Sequence, residues 1–211
     1  MLIMTTKGIF TTPVYIEREL GQSERDINQE LMNKYYSMKK IPLRSSYNKE
    51  AAHDISVGEN GVQFSENVVD DCPLFGKFLE TSVNQYFKDL GFPTHPYMVK
   101  ESWFTRTTKG KHAPVHNHAD NDISGVYYVQ TNEEDGPLVL KNPLSIAQGN
   151  YIYFLHHHET GHHVMPLHRG QIILWPSMID HSTYVNETTH ERVSLSFNIS
   201  VERYPFTLPK N

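Results

Sequence analysis

The sequence predicts a mainly β protein with N-terminal helices, folded as a double-stranded β-helix, or jelly roll. Three observations predict it. From about Met98 onward the chain holds short runs rich in β-branched and aromatic residues, with no helical periodicity. Before that point, two segments space their apolar residues for one helix face each. The last long run alternates cleanly: Arg192, Ser194, Ser196 and Asn198 interleave with Val193, Leu195, Phe197 and Ile199. Side chains alternate across a strand, so this strand has one polar and one apolar face.

Taken in order, Ser23 with Asp26 three places on resembles a capping box, and Ile27, Leu31, Tyr35 and Met38 follow at helical spacing. Asp71 and Pro73 open a second helix, whose Leu74, Phe75, Phe78, Leu79, Val83, Tyr86, Phe87 and Leu90 form a wide apolar face ended by Gly91 and Pro93. That face is expected to pack on a sheet. Between the helices, Ile55 to Val57 and Val62 to Phe64 flank Gly58-Glu59-Asn60-Gly61, which predicts a hairpin. The predicted strands are Val99 to Thr105, Ser124 to Gln130, Leu138 to Leu140, Tyr151 to Leu155, Ile172 to Trp175 and Arg192 to Val201. On a surface sheet the polar face of the last strand would be solvated. In a jelly roll packed against helices, its apolar face meets Phe75, Phe78 and Leu79, and its polar face lines a cavity.

A chain of 211 residues with 38% hydrophobic content can bury one sizeable core. A single domain over 1–211 is expected, with about 1–96 as helical support and about 97–205 as jelly-roll core. The net charge of -5 and the absence of a Lys/Arg block argue against nucleic acid or an anionic membrane as the main partner. A small-molecule or peptide substrate is expected instead, and a homodimer is left open. Cys72 is the only cysteine, which excludes an internal disulfide. No secretory N-terminus or long apolar run is present, so the protein is expected to be cytoplasmic.

The chemistry concentrates in two segments. His116-Asn117-His118 places two imidazoles at i and i+2, on one side of an extended segment, and His181 can close a facial set of metal ligands. Arg192 follows eleven positions after His181, with Ser194 beyond it. A metal alone needs no guanidinium, whereas a metal that holds an organic dicarboxylate benefits from a planar fork on the far carboxylate. This points to a non-haem iron oxygenase. Gly110 precedes His116 by six positions, Gly170 precedes Pro176 by six, and His181 follows Pro176 by five. These spacings resemble the paired motifs of cupin-like jelly-roll metalloproteins.

Ser102-Trp103-Phe104, His116-Asn117-His118 running into Ser124-Gly125-Val126-Tyr127-Tyr128-Val129, Trp175-Pro176-Ser177 with His181, and Arg192 through Asn198 carry a resemblance. The chain resembles the 2-oxoglutarate and Fe(II)-dependent dioxygenases, within them the bacterial and phage group similar to prolyl 4-hydroxylases. Thr11-Thr12-Pro13-Val14-Tyr15 looks like the group's usual opening, which extends the resemblance over the whole chain. The resemblance implies Fe(II), 2-oxoglutarate and O2, with decarboxylation to succinate coupled to oxidation of a C–H bond. It implies iron on His116, His118 and His181, and 2-oxoglutarate held by Arg192 and Ser194. Tyr128 and Asn198 are further candidates, one for the cosubstrate carboxylate and one at the end of the inward face.

The sequence departs from most of that superfamily, in which a carboxylate stands two positions after the first histidine. Either His116, His118 and His181 form an all-histidine triad, or His118, Asp120 and His181 restore two histidines and one carboxylate. The first is preferred, and an all-histidine site predicts that iron affinity falls below about pH 6 as imidazole protonates. His156-His157-His158 and His162-His163 are expected in a surface hairpin, and His112, His168 and His190 in solvated loops. Tyr127, Tyr128, Trp103 and Trp175 are expected as core aromatics. Two further functions stay open: a cupin-like metalloenzyme without 2-oxoglutarate, and a non-catalytic jelly-roll binding or virion module. Arg192 argues against the first, and the convergence of three histidines against the second.

Overall fold

The structure is a computed structural model that describes residues 12–38, 54–55, 68–143 and 161–203. Among the described residues, two α-helices, α1 (Gly21–Met38) and α2 (Pro73–Asp89), accompany nine strands: β1 (Tyr15–Arg18), β2 (Asp54–Ile55), β3 (Tyr97–Thr107), β4 (Ile123–Gln130), β5 (Leu138–Lys141), β6 (His162–Val164), β7 (Gln171–Pro176), β8 (His181–Thr183) and β9 (Arg192–Val201). A six-stranded sheet runs β1-β7-β4-β9-β3-β2, and a three-stranded sheet runs β6-β5-β8. The pairings are antiparallel throughout. The fold is a double-stranded β-helix with helices on the outside of the larger sheet.

The larger sheet carries a core on each face because its strands alternate. Val193, Leu195, Phe197 and Ile199 of β9 join Phe104, Ile123, Tyr127 and the apolar faces of both helices in one buried cluster. Phe75 lies 5.2 Å from the Tyr127 ring and 6.0 Å from Phe197, so α2 docks through aromatic contacts beyond simple area burial. On the opposite face, Val126, Tyr128, Ile173 and Trp175 meet Leu138 and Leu140 from the smaller sheet. The space left on that side is the cavity.

Two local features seat the helices. Cys72 caps α2 without a side-chain hydrogen bond, and Glu30 of α1 instead accepts the first-turn N–H groups of Leu74 and Phe75 at 3.1 and 3.0 Å. At Gly125 in β4, an added Cβ would lie 2.3 Å from the Phe197 ring and 2.8 Å from Leu174. Glycine there lets Phe197 cross under the central strand.

Both expected helices form, with Ile27, Leu31, Tyr35 and Met38 buried in the first. The apolar face of β9 meets Phe75, Phe78 and Leu79 as the alternation requires. Strands β1 and β8 were not expected, since four and three residues are too short to display a period. Of the predicted hairpin near Gly58, only β2 lies within the described residues, where Asp54 pairs with Arg106. Tyr151 to Leu155 and His156 to His158 lie outside them. Among the described residues, no helix is long and apolar enough to cross a membrane.

Candidate active site

A backbone bridge assembles the histidines. His116 donates its N–H to the carbonyl of His181 at 2.9 Å, and His181 returns the bond at 2.8 Å. His118 is fixed by its own N–H, which donates to the Ser177 carbonyl at 3.0 Å. The result is that His116, His118 and His181 each offer a ring nitrogen within 4.8 Å of the others. Asp120 is exposed and stands outside this group.

Ring orientation follows from hydrogen bonds to carbonyl groups. Nδ1 of His116 lies 2.8 Å from the Pro114 carbonyl, and Nδ1 of His181 lies 3.0 Å from that of Ile179. A carbonyl only accepts, so Nδ1 carries the proton in each ring and Nε2 keeps its lone pair. This is the tautomer that a metal requires. Burial, helped by the neighbouring His116, holds His118 down at about 4 and His181 at about 3. Protons therefore compete for these two nitrogens at a lower pH than the free-imidazole value suggests from sequence.

The three imidazoles line one cavity of about 280 Å³ with Arg192, Ser194, Asn198 and Tyr128. The polar face of β9 does line it, as the alternation predicts. Arg192 is 2% exposed. Its Nη1 donates to the carbonyls of Asp135, at 3.3 Å, and of Gly136, while Nη2 donates to Thr107 Oγ1 at 2.9 Å. Nε is buried and unpaired among the described residues. Three of the five guanidinium donors are spent on neutral acceptors, and no carboxylate pairs with the buried cation there. Burial disfavours the charged form of Arg192, while Tyr128 and Asp135 counter it. Tyr128 stands opposite Ser194 in the β4–β9 ladder, which groups both hydroxyls with the guanidinium.

At the other end of β9, the Asn198 side chain is completely buried. It donates to Glu101 Oε1 at 2.6 Å and accepts from Ser124 Oγ at 2.8 Å; Ser124 in turn lies 2.9 Å from Ser177 Oγ. Sequence reasoning did not single out Glu101, Thr107 or the carbonyls at 135 and 136. Thr107 carries no chemical signature, and backbone carbonyls leave none in a sequence.

Two expectations need correction. Trp103 and Trp175 are buried but are not merely core: both line the cavity, with rings 5.8 Å from His118 and 5.0 Å from His181. The i, i+2 pattern of β3 turns Trp103 inward with Glu101 and Thr105. His168 is also not simply solvated, being half-buried 3.4 Å from Glu133, whereas His190 is exposed in its loop as expected, 3.5 Å from Asp135. His162 and His163 are exposed on β6, which pairs with β5; the other arm of the expected hairpin, Tyr151 to Leu155, lies outside the described residues.

Residues 101–198 match the family model described as a 2OG-Fe(II) oxygenase. None of the curated proteins is a significant match to the sequence. Among solved structures, a prolyl-4-hydroxylase of Pseudomonas putida is similar at 12% identity over 90% of this chain and 93% of its own, with a TM-score of 0.60. HygX from Streptomyces hygroscopicus, solved with nickel and 2-oxoglutarate bound, is similar at 11% identity over 90% and 83%, with a TM-score of 0.56. EctD from S. alaskensis, solved with bound Fe, is similar at 11% identity over 90% and 73%, with a TM-score of 0.59. At such identities these likenesses show the fold. The match over 101–198, on a jelly roll that gathers a three-histidine group into its cavity, makes that segment similar to the 2-oxoglutarate and Fe(II)-dependent oxygenases.

Proposed function

We propose that Nε2 of His116 and His181, with a ring nitrogen of His118, holds Fe(II), and that Arg192 grips the C5 carboxylate of 2-oxoglutarate. The single observation carrying this reading is a buried guanidinium without a carboxylate partner among the described residues, its Nε unpaired, in the cavity of the three imidazoles. A buried cation is costly unless an anion completes it. Ser194 and Tyr128 add hydroxyl donors beside it, and Thr107 with the carbonyls of 135 and 136 aims the fork. The second reading, a metalloenzyme without cosubstrate, leaves Arg192 unexplained.

When bound, Fe(II) and 2-oxoglutarate activate O2, yielding succinate and CO2 with one oxygen atom inserted into a substrate C–H bond. The protein supplies three neutral imidazoles, fixed by backbone hydrogen bonds, and an apolar wall of Trp103, Trp175 and Val126 that limits water. The substrate is a small molecule or a peptide side chain, and the reaction is its hydroxylation. Helices and jelly roll act as one unit, because a single core joins them.

Succinate release measured across a panel of amino acids, peptides and metabolites tests the reaction. With the right substrate, succinate and hydroxylated product form in equal amounts. Product without succinate would contradict the reading.

A further inference from the structure

We propose that Glu101 is the substrate anchor of this cavity and that the substrate presents a positively charged nitrogen, an ammonium or guanidinium group. The inference rests on the iron and 2-oxoglutarate reading and adds the class of substrate. A β-bulge carries it. Register along β3 and β9 pairs Val99 with Ile199 but Glu101 with Asn198, so Lys100 is an extra residue in β3. Before the bulge, Tyr97 and Val99 pack against the helix-side core. After it, Glu101, Trp103 and Thr105 line the cavity while Phe104 is buried in that core. Without the bulge, strict alternation from Val99 would drive the Glu101 carboxylate into the apolar layer under the helices.

The carboxylate so delivered is held in place. Asn198 Nδ2 donates to Oε1, and Asn198 is itself fixed by Ser124, which contacts Ser177. Asn198, Ser124 and Ser177 are fully or almost fully buried. Among the described residues no cation forms an ion pair with Glu101, and neighbouring Lys100 instead donates to the Asp120 carbonyl at 3.2 Å. A carboxylate with one neutral partner in a half-buried wall is completed best by a charged donor.

Position along the ladder separates it from the cosubstrate. Glu101 faces Asn198 and Thr107 faces Arg192, six residues further along β3, or about 20 Å of strand. Trp103, which contacts His118, lies between them. The cavity thus has an anion-binding end, a metal site and a carboxylate end, in that order. With Arg192 taken by the dicarboxylate, Glu101 is left for the substrate.

Matched probes test this on the protein loaded with Zn(II) and 2-oxoglutarate, read as melting temperature: L-arginine against L-citrulline, L-lysine against Nε-acetyl-L-lysine, and butylammonium against 1-butanol. In at least one pair the cation should stabilise wild type at a concentration about tenfold below its neutral counterpart, the ratio of one charge-assisted bond. Glu101→Gln should erase that preference, and Glu101→Asp should retain its sign. No preference in any pair, or a preference surviving in Glu101→Gln, overturns the proposal. Stabilisation by 2-oxoglutarate alone, measured in the same runs, reports on the underlying reading separately. A cation preference lost in Glu101→Gln, without any effect of 2-oxoglutarate, keeps the Glu101 anchor and removes only the cosubstrate reading.

Discussion

His116 and His181 face each other as a hydrogen-bonded pair, each backbone N–H donating to the other's carbonyl, and their rings stand 4.3 Å apart. Main chain, rather than side-chain packing, therefore sets the spacing of two of the three imidazoles. Truncating either ring leaves that bridge intact.

His116→Ala should accordingly fold while losing iron. Its affinity should fall by more than the roughly 10- to 100-fold typical of losing an outer-shell partner. His181→Ala should do the same, whereas Asp120→Ala should keep iron. Metal content after dialysis, with circular dichroism as the fold control, checks all three. The reverse pattern at 116 and 120 would restore the carboxylate register.

Acid should destabilise the metal-free protein through the same residues. The folded values of His118 and His181, about 4 and about 3, lie below the unfolded value of 6.5. Above that value both states are neutral and neither group contributes. As pH falls from 6.5 toward 4, the unfolded chain takes up protons that the folded one excludes, so stability declines. Denaturant midpoints at stepped pH should show this decline, and His181→Ala should lessen it.

Gly125→Ala should destabilise by about 1–3 kcal/mol, the cost of overpacking a filled core. Its Cβ would fall 2.3 Å from Phe197 and 2.8 Å from Leu174. A midpoint shift under urea measures it, and an unchanged midpoint would mean that β4 moves freely.

Much of this was legible in residue patterns with a period or a chemistry. The β9 alternation gave both faces of the strand, and the apolar face of α2 named the residues that meet it. The grouping of His116, His118 and His181 was legible because the side chains suited to a metal are few and two of the three stand at i and i+2. Strands β1 and β8 were not, being only four and three residues long. Glu101 was hidden for a different reason: the bulge at Lys100 reverses the parity that a reader would carry forward from Val99. The grip on Arg192 by the carbonyls of 135 and 136 depends on chain path alone.

Tyr128→Phe should weaken 2-oxoglutarate binding by about tenfold or more, the worth of one hydrogen bond to a charged group. The ring is buried in the cavity, so the fold should hold. Calorimetric titration of the Zn(II) protein compares the two forms, and equal affinity would remove the hydroxyl from the site.

The most direct test of the central claim is titration of 2-oxoglutarate into the anaerobic Fe(II) protein, following the metal-to-ligand absorption band, in wild type, Arg192→Lys and Arg192→Ala. The account predicts a band in wild type and at least about tenfold weaker binding in the alanine variant, from loss of a charge-assisted bidentate contact. Lysine should recover only part of it, because a point charge lacks the planar fork. A wild type without the band, or an alanine variant that binds as tightly, would contradict it.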